Sequence, residues 1–141
     1  MVGGADLLVY PITFNYRQYF ELTFKRLHNV CNRAESRTAA ALVTTPYPAG
    51  HELPELWKVI RSRIVACVGP HVEFELAEFV DEFVVELDAL DPSSQSFRYW
   101  ETRKGGTFQS LARFNIGEFM NRADRASELL DGIEETLDQS N

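Results

Sequence analysis

Between Asn15 and Cys31 the chain reads NYRQYFELTFKRLHNVC, and its apolar positions recur every three to four residues. Set at about 100° per residue, Tyr16, Tyr19, Phe20, Thr23, Phe24, Leu27, Val30 and Cys31 share one broad arc. That spacing predicts an amphipathic helix, from about Pro11 to about Arg37, with an aromatic face turned to a core. Pro11 suits its first turn, where a missing N–H costs nothing.

Three more segments repeat the pattern. One begins near Pro54 and carries Leu56, Trp57, Ile60, Ile64, Cys67 and Val68 on one side, and Gly69-Pro70 stops it. Another spans roughly Val72 to Leu90, with Val72, Leu76, Phe79, Val80, Phe83, Leu87 and Leu90 at helical spacing. The last starts at Asn115, whose side chain caps it while Glu118 sits where a capping box closes. Its stripe is Phe119, Ala126, Leu130, Ile133 and Leu137. Between these lie an Ala-rich stretch ending TTPYPAG, which reads as a connecting loop, and DPSSQSFRYWETRKGGTFQS, which reads as a loop or short β-hairpin around Gly105-Gly106. The expectation is one all-α domain over residues 1–141, an antiparallel four-helix bundle with a short insert before the last helix.

At 141 residues, with 45% hydrophobic and 25% charged residues, such a domain can bury a real core. No apolar run approaches the roughly 20 residues of a membrane helix, and the start MVGGADLLVYP lacks a signal-peptide pattern. A cytoplasmic protein without a membrane segment is expected. Cys31 and Cys67 read as small buried thiols, which suits a reducing compartment. The net charge of −7 argues against a surface made for bulk nucleic acid, since phosphate binding draws on clustered Lys and Arg. From Glu73 through Asp91 there are eight carboxylates and no basic residue, which reads as a solvated face or, less often, a docking surface for a basic partner. Scattered along one helix, they do not converge on a metal. Phosphate-loop, dinucleotide, zinc and nucleophile-elbow motifs are all missing, so neither cofactor nor metal is expected.

On the first helix Arg17, Glu21 and His28 fall within roughly 40° of one another at the edge of the aromatic arc. The plain reading is an Arg17–Glu21 pair worth a few tenths of a kcal/mol, with His28 exposed. The functional reading is a shielded polar seam in which Arg17 and Glu21 meet His51, from the loop before the second helix, and Arg98, from FRYW. His51 either bonds backbone groups near the start of that helix or serves as an acid/base or ligand contact. His71, beside Pro70, should be exposed.

Taken in order, YPITFNYRQYFELTFKRL, GHELPELW and ELDALDPSSQSFRYW resemble the HEPN superfamily of small helical bundles, and more closely an uncharacterised prokaryotic branch of it. The resemblance rests on Tyr16, Arg17, Tyr19, Glu21 and Leu22 in the first helix. It continues through Gly50, His51, Glu52, Leu53, Leu56 and Trp57, and then through Asp91, Pro92, Phe97, Arg98 and Tyr99. Gln18 departs from the histidine usual there, and Trp100 from a common proline. The resemblance implies frequent dimerisation and work in toxin–antitoxin or antiviral systems, where members cut RNA or bind nucleotides or a protein partner. Ribonuclease members carry an arginine, four to six residues, and a histidine. Here Arg63 and His71 have seven residues between them, and Arg26 and His28 one, which counts against that chemistry.

Three expectations follow. The first is a non-catalytic HEPN-like interaction or regulatory module, sensing a nucleotide or phosphate through Arg17, His51 and Arg98, with Glu21 in the same seam. The second is a divergent ribonuclease dimer using His51, with Arg17 or Arg98 stabilising charge and RNA as its ligand. The third is a structural subunit docking through its acidic helix. Either way the partner is a second copy or another protein.

Overall fold

A computed structural model of the chain describes residues 4–48, 52–90 and 115–139, with side chains from Pro11 onward. Helix α1 (Gly4–Ala39) starts before the sequence expectation and holds Pro11 in its interior. Ala40, at φ 53°, turns into the left-handed region and ends it. Helix α2 (Leu53–Val68) has Pro54 in its first turn, where the ring's fixed φ suits a helix start. It stops at Gly69, whose φ of 124° admits no side chain without strain and whose N–H closes on the Val65 carbonyl at 2.8 Å. A single tight turn (Pro70–Val72) reverses the chain into α3, residues 73–90. Helix α4 (Ile116–Gln139) opens on the expected cap, the Glu118 N–H donating to Asn115 Oδ1 at 2.9 Å. No strand occurs among the described residues, and the anticipated insert at residues 91–114 lies outside them.

These helices form the all-α bundle that the periodicity predicts. Its core is one cluster in which Phe20, Phe24, Leu27, Ile60, Ile64, Leu76, Leu87, Phe119 and Leu130 are essentially inaccessible. Rings interlock at its centre: Phe20 with Phe83 at 5.3 Å, Phe24 with Trp57 at 5.3 Å, Phe83 with Phe119 at 5.1 Å.

Residue pairs give the helix directions. Along α1 and α2, Phe24 meets Trp57, His28 meets Arg63, and Glu35 meets Cys67, so these two helices run the same way. Along α1 and α4 the order is again matched, from Tyr16 on Phe119 through Tyr19 on Ser127 to Arg33 on Asp138. Helix α3 runs against both α1 and α2: Phe20 meets Phe83 while Arg17 meets Asp88, and Trp57 meets Asp81 while Arg61 meets Glu73. The antiparallel relation expected of the whole bundle is therefore seen for α3 against α1 and α2. The physical reason is the segment 41–48, which doubles back along α1. Val43 is tied to Ser36, Thr45 to Asn32 and His28, and Tyr47 packs on His28. Helix α2 consequently begins part-way down α1 and climbs beside it.

Helix α3 contains one wide, π-type turn at Ala77–Asp81. A π turn holds more residues than an α turn, so it shifts the phase of everything after it. Val84 and Asp88 are buried as a result, although an uninterrupted 3.6-residue wheel turns Asp88 away from the stripe of Val72, Leu76 and Val80.

Candidate functional site

The first helix does present a polar seam, and the structure changes its membership. Arg17, largely shielded, reaches Glu21 Oε1 with its Nε at 3.2 Å and Asp88 Oδ1 with a terminal nitrogen at 2.9 Å. The Arg17–Glu21 pair expected from the i, i+4 spacing is thus formed, and Asp88 joins it. Its place in the acidic run predicts a solvated Asp88; the residue is instead 1% exposed, a correction whose cause is the wide turn in α3. A buried carboxylate is tolerated only where charge and hydrogen bonds meet it, and Arg17 supplies both. Other members of the acidic run are also engaged. Asp81 accepts the Trp57 indole N–H at 2.7 Å and the Arg61 Nε–H at 3.0 Å, and Glu86 pairs with Arg122. His51 and Arg98, the other two residues expected at the seam, lie outside the described residues.

His28 is the second correction. Its position at the edge of the arc suggested exposure, yet it is 2% exposed. Its Nε2 lies 2.7 Å from the Thr45 carbonyl oxygen, which can only accept, so Nε2 carries the proton. Nδ1 therefore accepts from Arg63, 2.9 Å away, and the Tyr47 ring meets the imidazole edge-on at 5.4 Å. Arg63 also donates to the His28 carbonyl oxygen at 3.3 Å and lies 2.9 Å from Glu35 Oε1, at an angle too poor for a hydrogen bond. Cys31 and Cys67, both free, face one another beside this ion pair. Burial first, then the Cys67 thiol, pushes the Cys31 thiol up to about 12, and burial raises Cys67 as well. Such thiols are poor nucleophiles. The expectation of small buried thiols holds fully for Cys31 and partly for Cys67, which is half-buried.

Tyr47 links the two clusters electrostatically. Its phenol is raised by burial and then by the Glu21 carboxylate, while its ring packs on His28. Three buried polar atoms lack a hydrogen-bond partner among the described residues at this junction: Asn32 Oδ1, Tyr47 Oη and Arg63 Nη2. A polar strip of two clusters thus lies along one side of α1 from Arg17 to Glu35, walled by α3 at one end and by α2 and the returning segment at the other. His71 is exposed, as expected.

Three of the strip's members, Asp88, Arg63 and Tyr47, are not among the site residues that the sequence suggests. The only local signal for Tyr47 was its place between two prolines; Asp88 and Arg63 resemble ordinary helix-surface charges until their neighbours are known. Among the described residues no group of His, Cys, Asp and Glu could hold a metal, and no helix is long and apolar enough to cross a membrane. The strip's chemistry is that of fixed internal pairs: both nitrogens of His28 and the guanidinium groups of Arg17 and Arg63 are turned to groups of the protein itself. Comparison with protein-family models, curated proteins and solved structures finds no match.

Proposed function

We propose that the chain is a non-catalytic, HEPN-like interaction module that binds a protein partner or a second copy of itself. The setting implied by the HEPN resemblance is prokaryotic or viral defence or a toxin–antitoxin pair. The observation that carries this reading is the pairing of the strip's cations. Arg17 lies between Glu21 and Asp88, and Arg63 between His28 and Glu35, so neither guanidinium is presented to a phosphate. Cleaving a phosphodiester needs a proton acceptor in reach of substrate, and His28 has both ring nitrogens engaged internally. The net charge of −7 favours a protein surface over bulk nucleic acid for the same electrostatic reason.

The experiment has two arms. Wild-type protein and His51→Ala are incubated with total RNA, and thermal unfolding is followed with nucleotides and inorganic phosphate. The module reading expects intact RNA from both proteins and no ligand-dependent rise in melting temperature. Cleavage that His51→Ala abolishes would replace it with the ribonuclease reading, and a nucleotide-specific rise with the sensor reading. Light scattering across a dilution series then reports whether the partner is a second copy.

A further inference from the structure

Outside the strip, the opposite side of α1 forms a groove with α4 of about 490 Å³, whose walls include Asn15, Tyr16, Tyr19, Met120, Asp124 and Ser127. Its aromatic walls are fixed before anything binds. Tyr19 Oη and Ser127 Oγ share a 2.5 Å hydrogen bond across the two helices, and the Tyr19 ring stands edge-on to Phe20 at 5.2 Å. Tyr16 is held in the same manner by Phe119, at 5.7 Å and 75°. Asp124 is the one charged residue among the described lining, and it forms no ion pair among the described residues. Its field reaches the neighbouring phenol: burial and then the Asp124 carboxylate push the Tyr16 hydroxyl up.

We infer that this groove is a binding site for a small organic cation, an alkylammonium compound whose apolar body lies on Tyr16, Tyr19 and Met120 while its positive head meets Asp124. Each part of the wall selects for that chemistry. Aromatic faces attract cations through their quadrupole, a thioether adapts to alkyl groups, and a lone carboxylate repels anions while leaving one charge to be matched. Nucleotides and phosphates are disfavoured on the same ground. The inference stands apart from the interaction-module reading, since it uses neither the polar strip nor a protein partner.

Choline and its neutral isostere 3,3-dimethyl-1-butanol separate charge from shape, and both are soluble probes. Each is titrated into the millimolar range at constant ionic strength, with the Met120 methyl and the Tyr16 and Tyr19 ring resonances followed by NMR. The expected result is saturable shifts at these residues, with choline binding roughly fivefold tighter than the alcohol. Asp124→Asn, an exposed substitution, should weaken choline roughly threefold and leave the alcohol unchanged. Asp138→Asn, at the far end of α4 and outside the groove, should change neither. Equal binding of the two probes, no shifts with either, or undiminished choline binding to Asp124→Asn would each overturn the inference.

Discussion

Replacing Arg63 by methionine keeps most of the side chain's length while removing the donor that completes His28. In the folded protein that donor serves Nδ1 at 2.9 Å and the His28 carbonyl oxygen at 3.3 Å, on a residue only 2% exposed. Water therefore has poor access to the acceptor left behind. A hydrogen bond from a charged group to a buried acceptor is worth about 1.5–3 kcal/mol. The ion pair with Glu35, which is 36% exposed on the carboxylate side and misaligned, adds at most about 1 kcal/mol. The expected loss is about 2–3 kcal/mol. For a urea slope of about 1–3 kcal/mol/M the midpoint should fall by about 0.7–3 M, read from far-UV circular dichroism and tryptophan fluorescence. His28→Leu and the double variant complete a cycle. Because the two side chains act on one another, the double variant should be more stable than the sum of the singles predicts by at least about 1 kcal/mol. Additivity within about 0.5 kcal/mol, or a loss for Arg63→Met below that figure, would refute the account of His28 as a residue completed by Arg63.

Arg17→Met takes a charge partner from the 1% exposed Asp88 and should cost about 3 kcal/mol, whereas Arg17→Met with Asp88→Leu should cost less than the single change; urea titrations compare them. Gly69→Ala should destabilise by about 1–3 kcal/mol, because the residue sits at φ 124° and a Cβ there would lie 2.9 Å from the His71 ring. Adding His71→Ala should not restore the loss, since His71 is exposed and the strain is in the backbone. Cys31 should alkylate slowly in folded protein at mildly alkaline pH and rapidly in urea, by mass spectrometry of the labelled peptide. Its folded value, about 12, lies above the ordinary 9.0. Its contribution to stability is therefore intact below 9.0 and is lost as pH climbs through about 12, which Cys31→Ala should flatten.

Much of this was legible from residue types alone. The stripe Phe119, Ala126, Leu130, Ile133 and Leu137 is buried throughout, the Asn115 cap is in place, and Gly69 ends α2 as its sequence announces. These are local matters, decided within a turn or two of helix. What escaped depends on residues far along the chain. His28 reads as an edge residue until Thr45, 17 positions on, and Arg63, 35 positions on, are seen to close over it. Asp88 looks solvated because periodicity assumes a constant 3.6 residues per turn, and the wide turn at Ala77–Asp81 breaks that assumption. A loop of alanines and prolines announces that a helix ends without telling which way the chain travels next, so the shared direction of α1 and α2 was not readable. Arg17 and Glu21 were found because their spacing alone brings them together.

The returning segment 41–48 has a consequence for how the chain assembles. Had α1 turned directly into α2, the two would zip as a local hairpin. Doubling back instead sets every meeting of those helices tens of positions apart, such as His28 with Arg63 at 35. Among the helix pairs, α2 and α3 are then the nearest partners, with Arg61 and Asp81 only 20 positions apart across a three-residue turn. Closing a short loop is entropically cheaper than closing a long one, so the α2–α3 hairpin is the natural nucleus, and α1 arrives later. Thr45 and Tyr47 close on α1 itself, Thr45 lying only 17 positions from His28, so by the same reckoning the clasp over His28 is a second short-range unit that can form before α1 docks on the hairpin.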